Sequence, residues 1–151
     1  MIVCSDESYF IHQGNGESRM LPQVVEWMQS IRWVRSDSLV VREFPINGRR
    51  VDLAVMTKSG LLSSFELKLG GFSRVLEQAS YNQLSFDRSW IVVGSIPRRE
   101  NLKAAEHFGI GVIVCNGEAP EVLLRPGAPN VDADLRSRLQ GRMLRIGDPG
   151  V

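Results

Sequence analysis

Asp52, Glu66 and Lys68 are the residues of this chain whose types and spacing best suit chemistry. They interrupt two apolar runs in "RRVDLAVMTKSGLLSSFELKL", residues 49–69. Charges inside such runs are costly wherever the runs are buried. Side chains of a strand alternate between faces. Over residues 61–69, Phe65, Leu67 and Leu69 then point one way and Ser64, Glu66 and Lys68 the other. Over residues 50–56, Val51, Leu53 and Val55 share one face; Asp52, Ala54 and Met56 share the opposite one. If the segments pair as a hairpin, Asp52 and Glu66 meet on one face, with Lys68 two residues further along. Two adjacent carboxylates repel, the more so in a low dielectric, and such a pair calls for a cation. The lysine supplies part of that need and a divalent metal more. Carboxylate and carbonyl oxygens suit magnesium or manganese, which keep several waters. A metal-bound water becomes more acidic, and a lysine beside it can orient it or stabilise developing phosphate charge. That chemistry suits phosphodiester hydrolysis. The same residues also fit a plainer description, an Asp52–Lys68 ion pair on the wet side of an edge hairpin. Spacing alone does not separate the two.

The elements that must position these residues follow from pattern. Residues 1–16 end in "HQGNG" and read as a loop or frayed N-terminal arm. From Glu17 the pattern is helical, with Leu21, Val24, Val25, Met28 and Ile31 on one stripe and Pro22 near the first turn. Residues 38–46, 50–56 and 61–69 read as three strands joined by the turns "NGRR" and "TKSG", an antiparallel meander. Residues 72–86 read as a helix with Phe72, Val75, Ala79, Gln83 and Phe86 on one face. A buried strand at 89–94, a helix at 98–108, a buried strand at 109–115 and a short edge strand at 121–125 come next. An Arg-rich helix at 131–146 follows "RPGAPN". The expected fold is a mixed α/β sheet that opens with a meander, continues through right-handed crossovers and is flanked by helices.

Bulk properties bound the function. The 151 residues fit one domain with a proper core. The formal net charge of +1 leaves no global cationic field, so any nucleic-acid surface must be a local patch. The two cysteines, Cys4 and Cys115, and the two histidines, His12 and His107, lack zinc-ligand spacing. A Cys4–Cys115 disulfide is open, though well-separated thiols more often stay reduced inside cells. The N-terminus has no signal-peptide pattern and no segment has the apolar length of a membrane span, so a cytoplasmic protein is expected.

With this order of elements, Asp52 followed by Glu66-Leu67-Lys68 resembles the PD-(D/E)xK nuclease superfamily, over roughly residues 17–115. Val51 stands where the motif's proline is often found. The resemblance implies a restriction-endonuclease-like core at 17–125, an arm at 1–16, and a C-terminal Arg-rich helix and tail at 126–151 packed on or extending that domain. It implies a Mg²⁺- or Mn²⁺-dependent endonuclease with Asp52, Glu66 and the Leu67 carbonyl on the metal and Lys68 at the water and phosphate. Its substrate would be duplex or branched DNA, in repair or defence; cutting both strands would favour a homodimer. Members often carry an acid on the first helix. Glu17 lies on the inward stripe and Glu26 on the outer face, so Glu17 is the candidate; a helix N-terminus favours an acid there regardless. Members also place a Gln or basic residue on the second helix, which Gln78 matches beside Arg74, Tyr81 and Ser85. Tyr81 and Ser85 fit ordinary solvation, and Gln83, inside the stripe, calls for a backbone partner. Arg49, Arg50, Arg98, Arg99, Arg136, Arg138, Arg142 and Arg145 could contact phosphates or form a solvated face. Trp27, Trp33 and Trp90 read as packing residues. The alternative is a catalytically inactive nucleic-acid-binding or assembly module of the same fold.

Overall fold

In the computed structural model, residues 2–4 and 16–147 are described, with side chains from residue 19 to residue 147. Among these, the order is β1 (Ile2–Cys4), α1 (Gly16–Ser30), β2 (Leu39–Ile46), β3 (Arg49–Met56), β4 (Leu62–Lys68), α2 (Phe72–Asn82), β5 (Arg88–Val93), α3 (Arg99–Phe108), β6 (Gly111–Val114), β7 (Glu121–Leu124) and α4 (Ala133–Gly147). The strands form one sheet in sequential order, β1 to β7. β2, β3 and β4 pair antiparallel, β4, β5 and β6 parallel, and β7 returns antiparallel on β6. This is the expected mixed α/β sheet with its opening meander. The first hairpin turns at Asn47 and Gly48, both left-handed at φ 49° and 77°, which is what a two-residue turn between twisted strands requires.

Three differences from the sequence reading matter. First, Ile2–Cys4, within the supposed arm, adds β1 parallel to β2. A three-residue strand is created by the edge it joins and has too few residues to show a period. Second, α2 ends at Asn82 and not near Phe86, because the N–H groups of Leu84, Ser85 and Phe86 turn back onto Tyr81 and Asn82 carbonyls. Gln83 is therefore past the helix, where its Nε2 donates to the Phe108 carbonyl at 2.6 Å. Third, alternation fails in β2 and β3. Pairing runs from Leu39–Met56 to Arg42–Leu53 and resumes at Phe44–Val51, dropping the step that holds Glu43 and Asp52. Glu43 there is left-handed at φ 51°. Beyond this break Val51 packs with Ala54 and Met56 rather than with Leu53 and Val55.

Side chains pack against both faces of the sheet. Leu21, Val24, Val25 and Met28 of α1 cover Leu53, Val55, Phe65, Leu67 and Trp90, whereas Ile31 lies beyond α1 and is exposed. On the other face Leu139 and Met143 of α4 meet Val41, Phe44, Val51 and Phe86. Beside them Val75 and Ala79 of α2 and Ala105 of α3 meet Ile91, Val93 and Val112. The C-terminal helix thus packs on the same sheet. Arg136 donates through Nε and a terminal nitrogen to the buried Asp87 Oδ1 at 2.9 and 2.5 Å, and Asp87 Oδ2 accepts the Leu62 N–H at 2.9 Å. Arg142 bonds the Pro45 carbonyl and lies over the Phe44 ring. These two arginines are structural; Arg138 and Arg145 are exposed.

The tryptophans form one packed group. Trp33 contacts Trp27 and Trp90 with centroids 5.2 and 5.1 Å apart, and Trp90 stacks on Phe65 at an interplanar angle of 5°. Gly111 makes this possible, since a Cβ there would lie 2.4 Å from Trp90 Cε3. Gly111→Ala is expected to destabilise the protein by roughly 1–3 kcal/mol, the range for overpacking a core. Denaturant unfolding checks this, and unchanged stability would mean that the Trp90 ring is free to move.

Candidate active site

The last β3–β4 pair toward the hairpin's open end is Leu53–Phe65. Extending that register by one step sets Asp52 opposite Glu66. There the two strands part, and the Asp52 carboxylate replaces the missing ladder. Its Oδ2 accepts the Leu67 N–H at 2.8 Å. A strand residue directs its N–H and C=O to the same side, so the Leu67 carbonyl is also turned toward β3. Glu66 lies level with Ile91 of β5, on the α2 side of the sheet, and is 3% exposed.

Two side chains reach Glu66, and a third stands behind one of them. Asn82 at the end of α2 donates Nδ2 to Glu66 Oε1 at 2.9 Å. Arg49, the first residue of β3, donates to Asn82 Oδ1 at 2.6 Å, and its guanidinium lies 5.6 Å from the centroid of the Tyr81 ring. Asp52 approaches closely enough to share a hydrogen bond with Glu66. Burial, then the Asp52 charge, raises the Glu66 carboxyl from 4.5 to about 8; the Asn82 bond and Arg49 act in the opposite direction but do not prevail.

Lys68, half-buried, lines an open cleft of about 320 Å³ with Gly71, Ser95, Arg98 and Asn101. The N-termini of α2 and α3 both open onto it, and neither has a side-chain cap. Helix N-termini without side-chain caps, beside Lys68 and Arg98, are groups of the kind that suit phosphate oxygens. The cleft sits beyond the carboxyl ends of β4 and β5, where ligands of open α/β sheets gather.

The sequence candidates separate as follows. Asp52, Glu66 and the Leu67 backbone come together, and Lys68 lies two residues beyond them. Gln78 is half-buried on α2 and makes no hydrogen bond among the described residues; Asn82, one turn further, takes the place next to Glu66. The reason is phase, because Val75, Ala79 and Asn82 form the buried stripe of α2. An amide at a core position of α2 marks Asn82, a signal that the stripe drawn through Gln83 passes over. Arg49 carried no signal beyond its charge. Tyr81 is exposed, as a solvated position requires, and its ring lies under the Arg49 guanidinium, whereas Ser85 is buried and not simply solvated. The Glu17 side chain lies outside the described residues; its helix, α1, covers the face of Phe65 and Leu67, opposite to that of Glu66. The Cys4 side chain and His12 are likewise outside them, and Cys115 is a free thiol that donates to Gln23 Oε1.

Among the described residues no three His, Cys, Asp or Glu side chains gather into a metal cluster. Two carboxylates and a carbonyl, completed by waters, nevertheless suit a hard divalent cation such as Mg²⁺ or Mn²⁺. The pair, with the buried Glu66 carboxyl held protonated at neutral pH beside the half-buried Asp52, is the kind of donor set that such a cation relieves.

A carboxylate pair at a strand fork in a mixed α/β sheet is therefore what the fold and site define. No family model matches the chain, and no curated protein does. Among solved structures, a protein of unknown function from Silicibacter pomeroyi is similar in fold, with a TM-score of 0.68 and 16% identity over 87% of this chain and 86% of that one. SfsA from Pyrococcus furiosus, solved in complex with Ca²⁺, matches with a TM-score of 0.39 and 14% identity over 76% of this chain and 65% of that one. No helix of the described residues is long and apolar enough to cross a membrane.

Because the folded Glu66 binds its proton more tightly than the unfolded chain does, this group's contribution is full below pH 4.5 and is lost as pH rises toward 8. The metal-free protein is expected to lose roughly a few kcal/mol across that window. Glu66→Gln should flatten the loss. Denaturant unfolding at a series of pH values checks it, and identical slopes in the two proteins would contradict the raised carboxyl.

Proposed function

We propose that the protein is a metal-dependent nuclease of the PD-(D/E)xK type that hydrolyses phosphodiester bonds in DNA. The observation that carries this reading is the convergence of the Asp52 and Glu66 carboxyls where β3 and β4 part. Asp52, Glu66 and the Leu67 carbonyl would hold Mg²⁺ or Mn²⁺. Bound there, the metal would acidify a water and polarise the phosphate. Asp52 is fixed by the Leu67 N–H and Glu66 by Asn82, so the carboxylates need little reorganisation when a cation arrives. Lys68, two residues beyond Glu66 on β4, would orient the attacking water and balance charge on the phosphate. Arg98 and the uncapped ends of α2 and α3 would seat the adjoining backbone. The proposal extends to duplex or branched DNA as substrate, a homodimer for double-strand cutting and a role in repair or defence.

One observation favours a second reading, a non-catalytic nucleic-acid-binding or assembly module. Glu66 is already partnered inside the protein by Asn82 and, through it, by Arg49. A network so satisfied can serve structure alone.

The experiment is cleavage of supercoiled plasmid, branched duplex and single-stranded DNA with Mg²⁺ or Mn²⁺. Asp52→Ala and Lys68→Ala are expected to lower the rate on the order of 100-fold, as losses of catalytic charge do. If wild type cleaves no substrate faster than Asp52→Ala does, the enzymatic reading is wrong. DNA binding retained by both proteins would then favour the module.

A further inference from the structure

On the α1 side of the sheet, at the end of the strands away from Glu66 and Lys68, the surface opens into a cleft of about 800 Å³. The end of α1, the β3–β4 turn, the start of β5 and the residue after β7 form its walls. Arg32, Arg35, Lys58, Arg88 and Arg125 line it, against the single acid Asp37. The chain as a whole carries a net charge of only +1, so this excess is local. All five cations are exposed, and none forms an ion pair among the described residues.

Three details point to a site rather than a solvated rim. Arg32 is left-handed at φ 66°, just beyond α1, a position that glycine ordinarily takes and that strains an arginine. Its carbonyl also accepts Arg35 Nε at 3.3 Å, which steadies the second guanidinium. Trp33, half-buried against Trp27 and Trp90, supplies a flat apolar floor. Forked guanidiniums match phosphate oxygens, and an indole face accepts a base.

We propose that this cleft binds a small ligand bearing a run of phosphates, either a free nucleotide or an inorganic polyphosphate. The site is separate from the carboxylate pair. Ser63 lines the cleft, whereas Glu66 lies three residues on, ~10 Å along β4, and faces the other side of the sheet. The proposal does not depend on the nuclease reading.

The test uses a property of the chain: its three tryptophans, Trp27, Trp33 and Trp90, are all in the group beneath this cleft. ATP, tripolyphosphate and adenosine are titrated into the full chain with EDTA present, following tryptophan emission and heat. ATP or tripolyphosphate should give a saturable change in emission, with adenosine weaker by roughly tenfold or more. Arg88→Glu/Arg125→Glu, and to a lesser degree Arg88→Gln, should weaken binding, roughly tenfold or more for the double variant. Asp52→Ala should leave it unchanged. ATP binding tighter than tripolyphosphate would identify a nucleotide with its base at Trp33, and equal binding a polyphosphate. The proposal is overturned by any of four results: no saturable response to either phosphate ligand, undiminished binding by the folded double variant, loss of binding in Asp52→Ala, or saturation by single-stranded oligonucleotide alone.

Discussion

The hydrogen bond from the Leu67 N–H to the Asp52 carboxylate is the interaction on which the candidate site depends. At that point the β3–β4 ladder has ended, and a backbone donor inside a sheet must find an acceptor. A side-chain oxygen taking that role lets the strands part while their polar groups remain satisfied. It also fixes Asp52 beside Glu66. The left-handed Glu43 and the dropped pairing step on the other flank of β3 belong to the same local departure from a regular sheet. The fold is regular where it builds the core and irregular where it places the acids.

Glu66 illustrates the cost of that arrangement. Buried beside a second carboxyl, it retains its proton to about pH 8 even with Asn82 bonded to it. Replacing such a group by a neutral amide would relieve the strain on the apoprotein. A binding partner that favours the ionised pair gives a physical reason for the carboxyls to be adjacent. A divalent cation would be such a partner, and the cleft at Lys68 opens two residues beyond Glu66.

Much of the framework was legible in the sequence because it rests on local rules. Asn47-Gly48 announced the hairpin, alternation in 61–69 separated Phe65 and Leu67 from Glu66, and helical spacing marked the face of α1. What was not legible depends on tertiary contacts. Ile2–Cys4 becomes a strand only beside β2. Val51 changes packing partners because of Glu43, a residue on another strand. Asn82 was hidden by an error of phase on α2, where the apparent stripe ran through Gln83 beyond the true end of the helix. Arg49 reaches the site only through Asn82. The pair Asp52–Glu66 is legible in the sequence; of the groups that hold it, Asn82 leaves a signal only once the phase of α2 is right, and Arg49 leaves none.

The central claim is that this pair binds a divalent cation. Calorimetric titration of Mn²⁺ into the metal-free protein near pH 7, in two buffers of different ionisation enthalpy, tests it most directly. The account predicts a single-site isotherm that releases about one proton, because a cation must displace the proton held by Glu66. Glu66→Gln should abolish both the binding and the release. No isotherm, or the same isotherm in Glu66→Gln, would contradict the account and leave the carboxyl pair as a purely structural feature.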